Sequence, residues 1–232
     1  SGANVYPQIS EDHRIVVDGS VINIYKNNPS DNITQVTFHN YYTLEHVLHM
    51  SSNITNANCA FYNARTLKQY DIVNFPNATD LYRAYFQCTN LKGFPKCGEK
   101  VTVMAETYRE CSNIIGSPVC GPNVVDFGGC YMNCYNITGS PVCGPNVTNM
   151  AYTYLNCYNL TGSPVCGNNV TNIAQAYFNC YNLTGSPVCG DKVVDMGGTY
   201  QYCNNLRGNP ACGPNVTNMA YAYQYCYNIT GS

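Results

Sequence analysis

The sequence repeats itself every 23 residues, and this period decides what the chain can fold into. Cysteine recurs at seven places separated by 23 residues: Cys88, Cys111, Cys134, Cys157, Cys180, Cys203 and Cys226. Counting each as position 0, Leu or Ile stands at position 3, Gly at 5, Pro at 7, a second Cys at 9, Val at 13 and Tyr at 20. A unit this short cannot bury its own apolar side chains, so the units are expected to stack as coils of a repeat solenoid.

The spacing inside one repeat predicts the local structure of each coil. Positions 13, 16 and 20 are apolar at i, i+3 and i+7, which indicates a short helix or 3-10 segment. Positions 3 to 9 indicate a short extended strand, and the proline at position 7 cannot donate a hydrogen bond to a neighbouring coil. At about 4.8 Å per coil, about eight coils would form a rod about 40 Å long, with the apolar positions inside.

The domain boundaries are placed where the 23-residue repeat begins to be recognisable. Residues 32–232 are expected to hold about eight stacked repeats, the last incomplete, with weaker copies upstream of Cys88. Residues 1–31 differ, because "RIVVDGSVINIY" alternates apolar and polar residues around Asp18-Gly19, which predicts a β-hairpin in an N-terminal cap or attachment segment. The closing "CYNITGS" only begins a coil, so we expect further repeats or a second subunit to cover that end.

Two stretches carry a resemblance to a known repeat family. "NVTNMAYTYLNC" ends at Cys157 and "CYNLT" begins there. This pattern, over about residues 53–232, resembles the BspA-type leucine-rich repeats of bacterial surface proteins and lipoproteins, and similar arrays occur in gut bacteria and their phages. The resemblance implies a leucine-rich-repeat-like solenoid with buried position-0 cysteines. The chain departs from the family at positions 6 and 7, where Ser and Pro replace inward aliphatic residues.

Charge limits the partners. The net charge is -2, and only five charged residues follow Cys111. No field of this sign and size attracts nucleic acid, and no apolar run is long enough for membrane insertion. A surface of Asn, Thr, Ser, Gly and Tyr repels its own copies weakly, so we expect self-association, through the solenoid ends.

The 15 cysteines allow metal binding, disulfides or buried thiols. Cys130 and Cys134 form one loose pair without a second pair, and "EHVLH" is not a zinc motif, so neither a metal nor a cofactor is predicted. We expect the position-0 cysteines to be reduced and buried, while disulfides between adjacent coils stay open as an alternative for the position-9 cysteines.

Asparagine and tyrosine supply the candidate surface features. Ten Asn-x-Thr triplets are either glycosylation sites or a by-product of the repeat template: Asn32, Asn53, Asn77, Asn136, Asn146, Asn159, Asn169, Asn182, Asn215 and Asn228. An outward row of aromatic and hydroxyl side chains either binds a partner or only stacks between coils: Tyr135, Tyr158, Tyr181, Tyr227, Thr138, Thr161 and Thr184.

These features favour a protein that binds rather than catalyses. The repeats offer no paired carboxylates, Ser-His-Asp set or phosphate-binding loop, so we predict no enzyme activity. The leading hypothesis is a surface-exposed adhesion or receptor-binding module of a bacterial cell or phage particle, which recognises a host-surface glycan or protein. The alternative is a structural subunit of an extracellular fibre, and the regular Thr rows leave ice binding as a third hypothesis.

Overall fold

A computed structural model describes residues 13–18, 21–26, 37, 38, 47, 53–68, 72, 75–210 and 212–230. Strand β1 (His13–Asp18) pairs antiparallel with strand β2 (Val21–Lys26), with His13 opposite Lys26 and Asp18 opposite Val21. This hairpin lies in the segment where alternating residues around Asp18-Gly19 predict one. Its role as a cap stays a prediction.

Consecutive repeats lie side by side and are joined through their backbones. Position 15 of each repeat forms an isolated parallel bridge with position 15 of the next, as between Asp126, Asn149 and Asn172. The N–H groups at positions 16, 18, 20 and 22 donate to the following repeat; Tyr154 N, for example, donates to Ala176 O at 2.8 Å. Those at positions 4 and 14 donate to the preceding repeat. These contacts support stacked 23-residue coils, while the leucine-rich-repeat class of the array stays a prediction.

The local structure of a coil differs from the predicted strand and helix. In the described part of the repeats, the strand predicted at positions 3 to 9 is absent apart from one bridge between Gly208 and Ile229, and the recurrent bridges lie at position 15 instead. Positions 16 to 22 form a run of turns without a helix. Positions 18 and 22 have left-handed backbone, with φ of 60° at Tyr152 and 61° at Asn156. Alternate N–H groups therefore point to the next coil, while those between them bond within the coil. A helix would satisfy only its own backbone and leave the coil edges unpaired.

The interior contains the side chains that the repeat spacing predicts. Val147, Met150 and Tyr154, at positions 13, 16 and 20 of one coil, are all 0% exposed. The position-20 tyrosine rings stack from coil to coil with centroids 5.4–5.8 Å apart: Tyr85, Tyr108, Tyr131, Tyr154, Tyr177, Tyr200 and Tyr223. This burial confirms the predicted inward positions from the repeat at Cys88 to the repeat at Cys180, whereas Met219, at position 16 of the repeat at Cys203, is 46% exposed.

Each buried tyrosine also satisfies the backbone beside the repeat's proline. The hydroxyl of Tyr154 donates to Val142 O at 2.7 Å and accepts from Val142 N at 3.0 Å. Val142 is at position 8, directly after Pro141, where the described coils make no backbone hydrogen bond to a neighbour. The tyrosine hydroxyl thus replaces the missing inter-coil bonds.

Candidate binding face

The outward tyrosines at position 1 form a continuous stack. Tyr135, Tyr158 and Tyr181 have ring centroids 5.2 Å apart from one coil to the next, with interplanar angles of 6° and 11°. Tyr135 is 39% and Tyr181 38% exposed, while Tyr158 is half-buried between them. Because neighbouring rings cover the faces, the stack offers ring edges and hydroxyl groups to solvent. A ligand can therefore meet these tyrosines through hydrogen bonds, while ring-face stacking is available only at the ends of the row.

Tyr227 lies outside this stack. Asn204 occupies position 1 of the intervening coil, and Tyr227 instead approaches Tyr225 in a tilted contact with centroids 6.3 Å apart. Of the four tyrosines predicted for the row, three lie together.

The predicted threonines run beside the tyrosine stack. Thr138, Thr161 and Thr184 are exposed, and the backbone N–H of each donates to a glycine carbonyl of the preceding coil at 2.8–2.9 Å. That glycine position has no room for a side chain: Gly162 has φ of +83°, and a Cβ there would lie 2.4 Å from Ser140 Oγ. The glycine therefore lets adjacent coils approach and keeps the threonines in register. We call Tyr135, Tyr158, Tyr181, Thr138, Thr161 and Thr184 the binding face.

The asparagines beside the binding face hold the coils together. Asn159 Nδ2 donates to Tyr135 O, and Asn182 Nδ2 donates to Tyr158 O, both at 2.9 Å. A second row at position 12 does the same, with Asn146 Nδ2 donating to Pro122 O at 2.9 Å. Sequence reasoning missed these two ladders, although asparagine at the same position in successive repeats was the available signal.

Most asparagines of the Asn-x-Thr triplets belong to these two rows of inter-coil hydrogen bonds. In seven of the ten, the Nδ2 atom that would carry a glycan donates to the preceding coil: Asn136, Asn146, Asn159, Asn169, Asn182, Asn215 and Asn228. Asn77 Oδ1 accepts from Lys100 Nζ, Asn53 is exposed, and Asn32 lies outside the described residues. Glycosylation of the seven would compete with these inter-coil contacts, and it stays a prediction.

The position-0 cysteines form a buried row of thiols. Cys157 is 0% exposed, and its Sγ donates to O of Tyr131, at position 20 of the repeat that begins at Cys111, at 3.1 Å. Burial raises the pKa of the Cys157 thiol, which keeps it protonated and unreactive. All 15 cysteines are free thiols in the structure. Burial at position 0 is confirmed from Cys88 to Cys203, while Cys226 is only partly buried.

The position-9 cysteines form a second, more accessible row. Cys97, Cys120, Cys143, Cys166 and Cys189 are half-buried, and Cys212 is exposed. Each sulfur of the first five lies against the position-10 glycine of the next coil; a Cβ on Gly167 would lie 2.9 Å from Cys143 Sγ. Desolvation raises the pKa of Cys120 to about 12 and of Cys166 to about 11.

Arg207 stands at position 4 of the coil that follows Thr184 and so adjoins the binding face, whereas the described ion pairs lie at positions 18, 21 and 22. Arg83 Nε contacts Glu106 Oε2 at 2.8 Å, and Arg109 Nη1 reaches the same oxygen at 3.3 Å. The hydrogen bond that Arg83 donates to the Glu106 carboxylate raises the pKa of Arg83. The described residues contain no group of three or more side chains suited to hold a metal ion. Nor do they contain a helix long and apolar enough to cross a membrane.

Comparison of the chain with protein-family models, with curated proteins and with solved structures finds no match. The likeness to BspA-type repeats therefore rests on the repeat motif alone.

Proposed function

We propose that this chain is a non-enzymatic, surface-exposed repeat protein for adhesion or receptor binding, at a bacterial cell surface or on a phage particle. The observation that carries the proposal is the in-register exposure of Tyr135, Thr138 and their equivalents on three successive coils. Their backbones are fixed by inter-coil hydrogen bonds, so the hydroxyl groups are presented by a preorganised surface.

The chemistry of the face favours a neutral, hydroxyl-rich ligand. None of its six side chains is charged, and its tyrosines offer edges rather than faces; Arg207 adjoins it only at the Thr184 end. A host-surface glycan, or an uncharged protein loop, would be recognised by hydrogen bonds repeated at the coil spacing. Binding of this kind depends weakly on salt, because there are no ion pairs to screen.

The test is binding of the monodisperse protein to an array of host-surface glycans and proteins, at low and high salt. Tyr158→Ala removes the centre of the tyrosine stack and should abolish binding. Tyr152→Asn is the matched control, because Tyr152 is an exposed tyrosine at position 18, away from the face, and asparagine tolerates its left-handed backbone. Equal binding by wild type and Tyr158→Ala, or no ligand on the array, would contradict the proposal.

A second candidate function is a structural one, in which copies assemble into an extracellular fibre. Only five charged residues follow Cys111, so the repeats of two copies repel each other weakly. A head-to-tail contact between copies would propagate when its symmetry does not close. Concentration-dependent light scattering with filaments, without binding to any glycan, would favour this function; a soluble monomer at high concentration would contradict it.

A further inference from the structure

Two exposed apolar side chains stand where the other coils carry hydroxyl groups. Position 6 is serine in four successive coils, but Phe94 occupies it in the coil before them. Position 4 is threonine in three successive coils, but Ile115 occupies it in the coil before those. Phe94 is 59% and Ile115 38% exposed. Single exposed apolar residues are ordinary on a protein surface, so these two indicate a site only if they adjoin each other and the binding face.

Phe94 and Ile115 adjoin both each other and the binding face. Ile115 N donates to Gly93 O at 3.3 Å, which places Ile115 beside the backbone that leads into Phe94. The Phe94 ring lies over Gly116, where an added Cβ would be 3.0 Å from Phe94 Cε1. Gly116 O in turn accepts from Thr138 N at 2.9 Å. The two apolar side chains therefore extend the threonine row of the binding face by one coil.

The Phe94 ring offers solvent a surface that the tyrosine stack does not. The rings of Tyr135, Tyr158 and Tyr181 cover each other's faces. Among the described aromatic side chains, none stacks on Phe94, and the ring atoms nearest to Gly116 are Cγ, Cδ1 and Cε1 along one edge. The serines at position 6 approach the next glycine in the same way, but in the described coils only Phe94 brings a ring to this place.

An available hydroxyl group lies next to these apolar side chains. Thr138 is exposed, and its hydroxyl makes no hydrogen bond within the part of the chain that the structure describes. The hydroxyl of Thr161, one coil further along, donates to Gly139 O at 3.3 Å. A threonine hydroxyl can both donate and accept. An apolar ring surface beside such a hydroxyl matches a pyranose, which carries C–H groups on a face and hydroxyl groups at its edge.

We propose that Phe94, Ile115 and Thr138 form a sugar subsite at one end of the binding face; this rests on the proposed function, because it takes the ligand of that face to be a glycan. The apolar C–H face of a neutral pyranose ring stacks on Phe94, and Ile115 packs against the same sugar. Thr138 hydrogen-bonds a sugar hydroxyl, and the glycan continues along the threonine row. Aromatic side chains with a few placed polar groups are typical of sites that orient small ligands.

The experiment measures binding of wild type and variants to an array of neutral glycans. Phe94→Ser installs the residue that other coils carry at position 6, so the coil should fold, and affinity should fall about tenfold or more because the ring contact is lost. Phe94→Trp keeps a ring and should retain binding. Phe94→Leu keeps an apolar side chain without a ring and should weaken binding as serine does, which decides the question if Phe94→Ser does not fold.

Val194→Thr is the matched control. Val194 is 44% exposed at position 14, where most other coils carry threonine, so this change also replaces an exposed apolar residue by the usual one. Its N–H donates to Thr171 O, in a row separate from position 4, and binding should be unchanged. Saturation-transfer NMR with the tightest glycan of the array gives a second readout, because transfer from aromatic protons to sugar C–H protons should weaken in Phe94→Ser.

The outcomes separate the subsite from the proposed function. Unchanged affinity of folded Phe94→Ser and Phe94→Leu would overturn the subsite and leave the proposed function standing. Lys92 stands at position 4 of the coil before Ile115. Binding lost in Lys92→Gln and at high salt, but kept in Phe94→Ser, would show recognition of an anionic group and also overturn the subsite. Binding to a host-surface protein but to no glycan would overturn the subsite alone, whereas binding to neither would overturn both.

Discussion

The position-20 tyrosine has three roles in one buried residue: it fills the coil, stacks on its equivalents and satisfies backbone groups. Only the first two follow from the sequence, because the spacing marks the position as apolar and the repeat places a ring there in each coil. The third depends on the proline at position 7. Tyr154 reaches the N–H and C=O of Val142, which have no partner on a neighbouring coil's backbone.

Tyr154→Phe separates these roles. The ring and its stacking remain, but the partly buried Val142 N and O each lose a hydrogen bond, so we expect a loss of about 1–3 kcal/mol in the free energy of unfolding. Tyr154→Ala also removes the ring and should cost about 3–5 kcal/mol. Urea unfolding measures both. Tyr135→Phe, on the exposed face, is the control and should change stability by less than about 0.5 kcal/mol. If Tyr154→Phe has the same free energy of unfolding as the wild type, the hydroxyl contacts contribute nothing to stability.

Cys157 tests the role of the buried thiols. Its Sγ donates to Tyr131 O, which also accepts from Cys134 N at 3.0 Å, so the carbonyl keeps a partner when the thiol is removed. Cys157→Ala should therefore destabilise modestly through a small cavity. Cys157→Ser should destabilise more, because its shorter bond from Cβ holds the hydroxyl farther from that carbonyl in apolar surroundings. Thermal unfolding ranks the two variants, and a serine variant more stable than the alanine variant would reverse this account.

Within each coil, the run of turns at positions 16 to 22 is the segment for which the sequence wrongly predicted a short helix or 3-10 segment. Apolar residues at i, i+3 and i+7 fit a helix, yet the same residues point inward in the observed turns. The signal against a helix was Gly129 and Gly198 at position 18, which is left-handed in every described coil. The Asn and Asp residues at position 15 were a second signal for a turn. Asn149 Oδ1 accepts from Ala151 N at 3.0 Å, which is the side-chain turn that Asn and Asp commonly form.

Tyr152→Gly distinguishes turns from a helix. Tyr152 has φ of 60° and an exposed side chain, so glycine relieves backbone strain and little packing is lost. We expect the unfolding free energy to stay the same or rise. In a helix the same change would cost about 1 kcal/mol. Tyr152→Val, which puts a β-branched residue at positive φ, should destabilise by about 1–2 kcal/mol or more. Denaturant midpoints of the two variants provide the comparison.

For the whole molecule, the candidate site was less predictable than the interior. Tyr135, Tyr158 and Tyr181 could be placed on one surface from the period alone. Whether their faces or their edges meet solvent depends on ring orientation, which the sequence does not contain. Asn204 in the intervening coil excluded Tyr227 from the row, and this interruption was visible in the sequence.

The buried ladders make the whole molecule sensitive to alkali. Burial raises the pKa of Tyr131, Tyr154, Cys134 and Cys180 above their usual values. Each group is protonated in the folded state and ionises first in the unfolded state, so stability is constant below about pH 8.5, the usual pKa of a free thiol. Above it, each buried thiol lowers the free energy of unfolding by about 1.4 kcal/mol per pH unit, and each buried tyrosine adds the same slope only above about pH 10. Circular dichroism against pH should show steep cooperative alkaline unfolding; a fold unchanged above the usual tyrosine pKa would contradict the burial of these rows.

Deletion of a whole and of a partial coil tests most directly whether 23-residue coils stack in register along the chain. Deletion of residues 157–179 removes one whole coil and joins Asn156 to Cys180, so every inter-coil contact can re-form with the next coil. In a nearest-neighbour array this costs only one coil's contribution. Thermal unfolding of this variant should show one cooperative transition at a moderately lower midpoint, whereas deletion of residues 157–168 should leave the chain unfolded. An unfolded whole-coil deletion, or a partial deletion that is equally stable, would contradict stacking in 23-residue units.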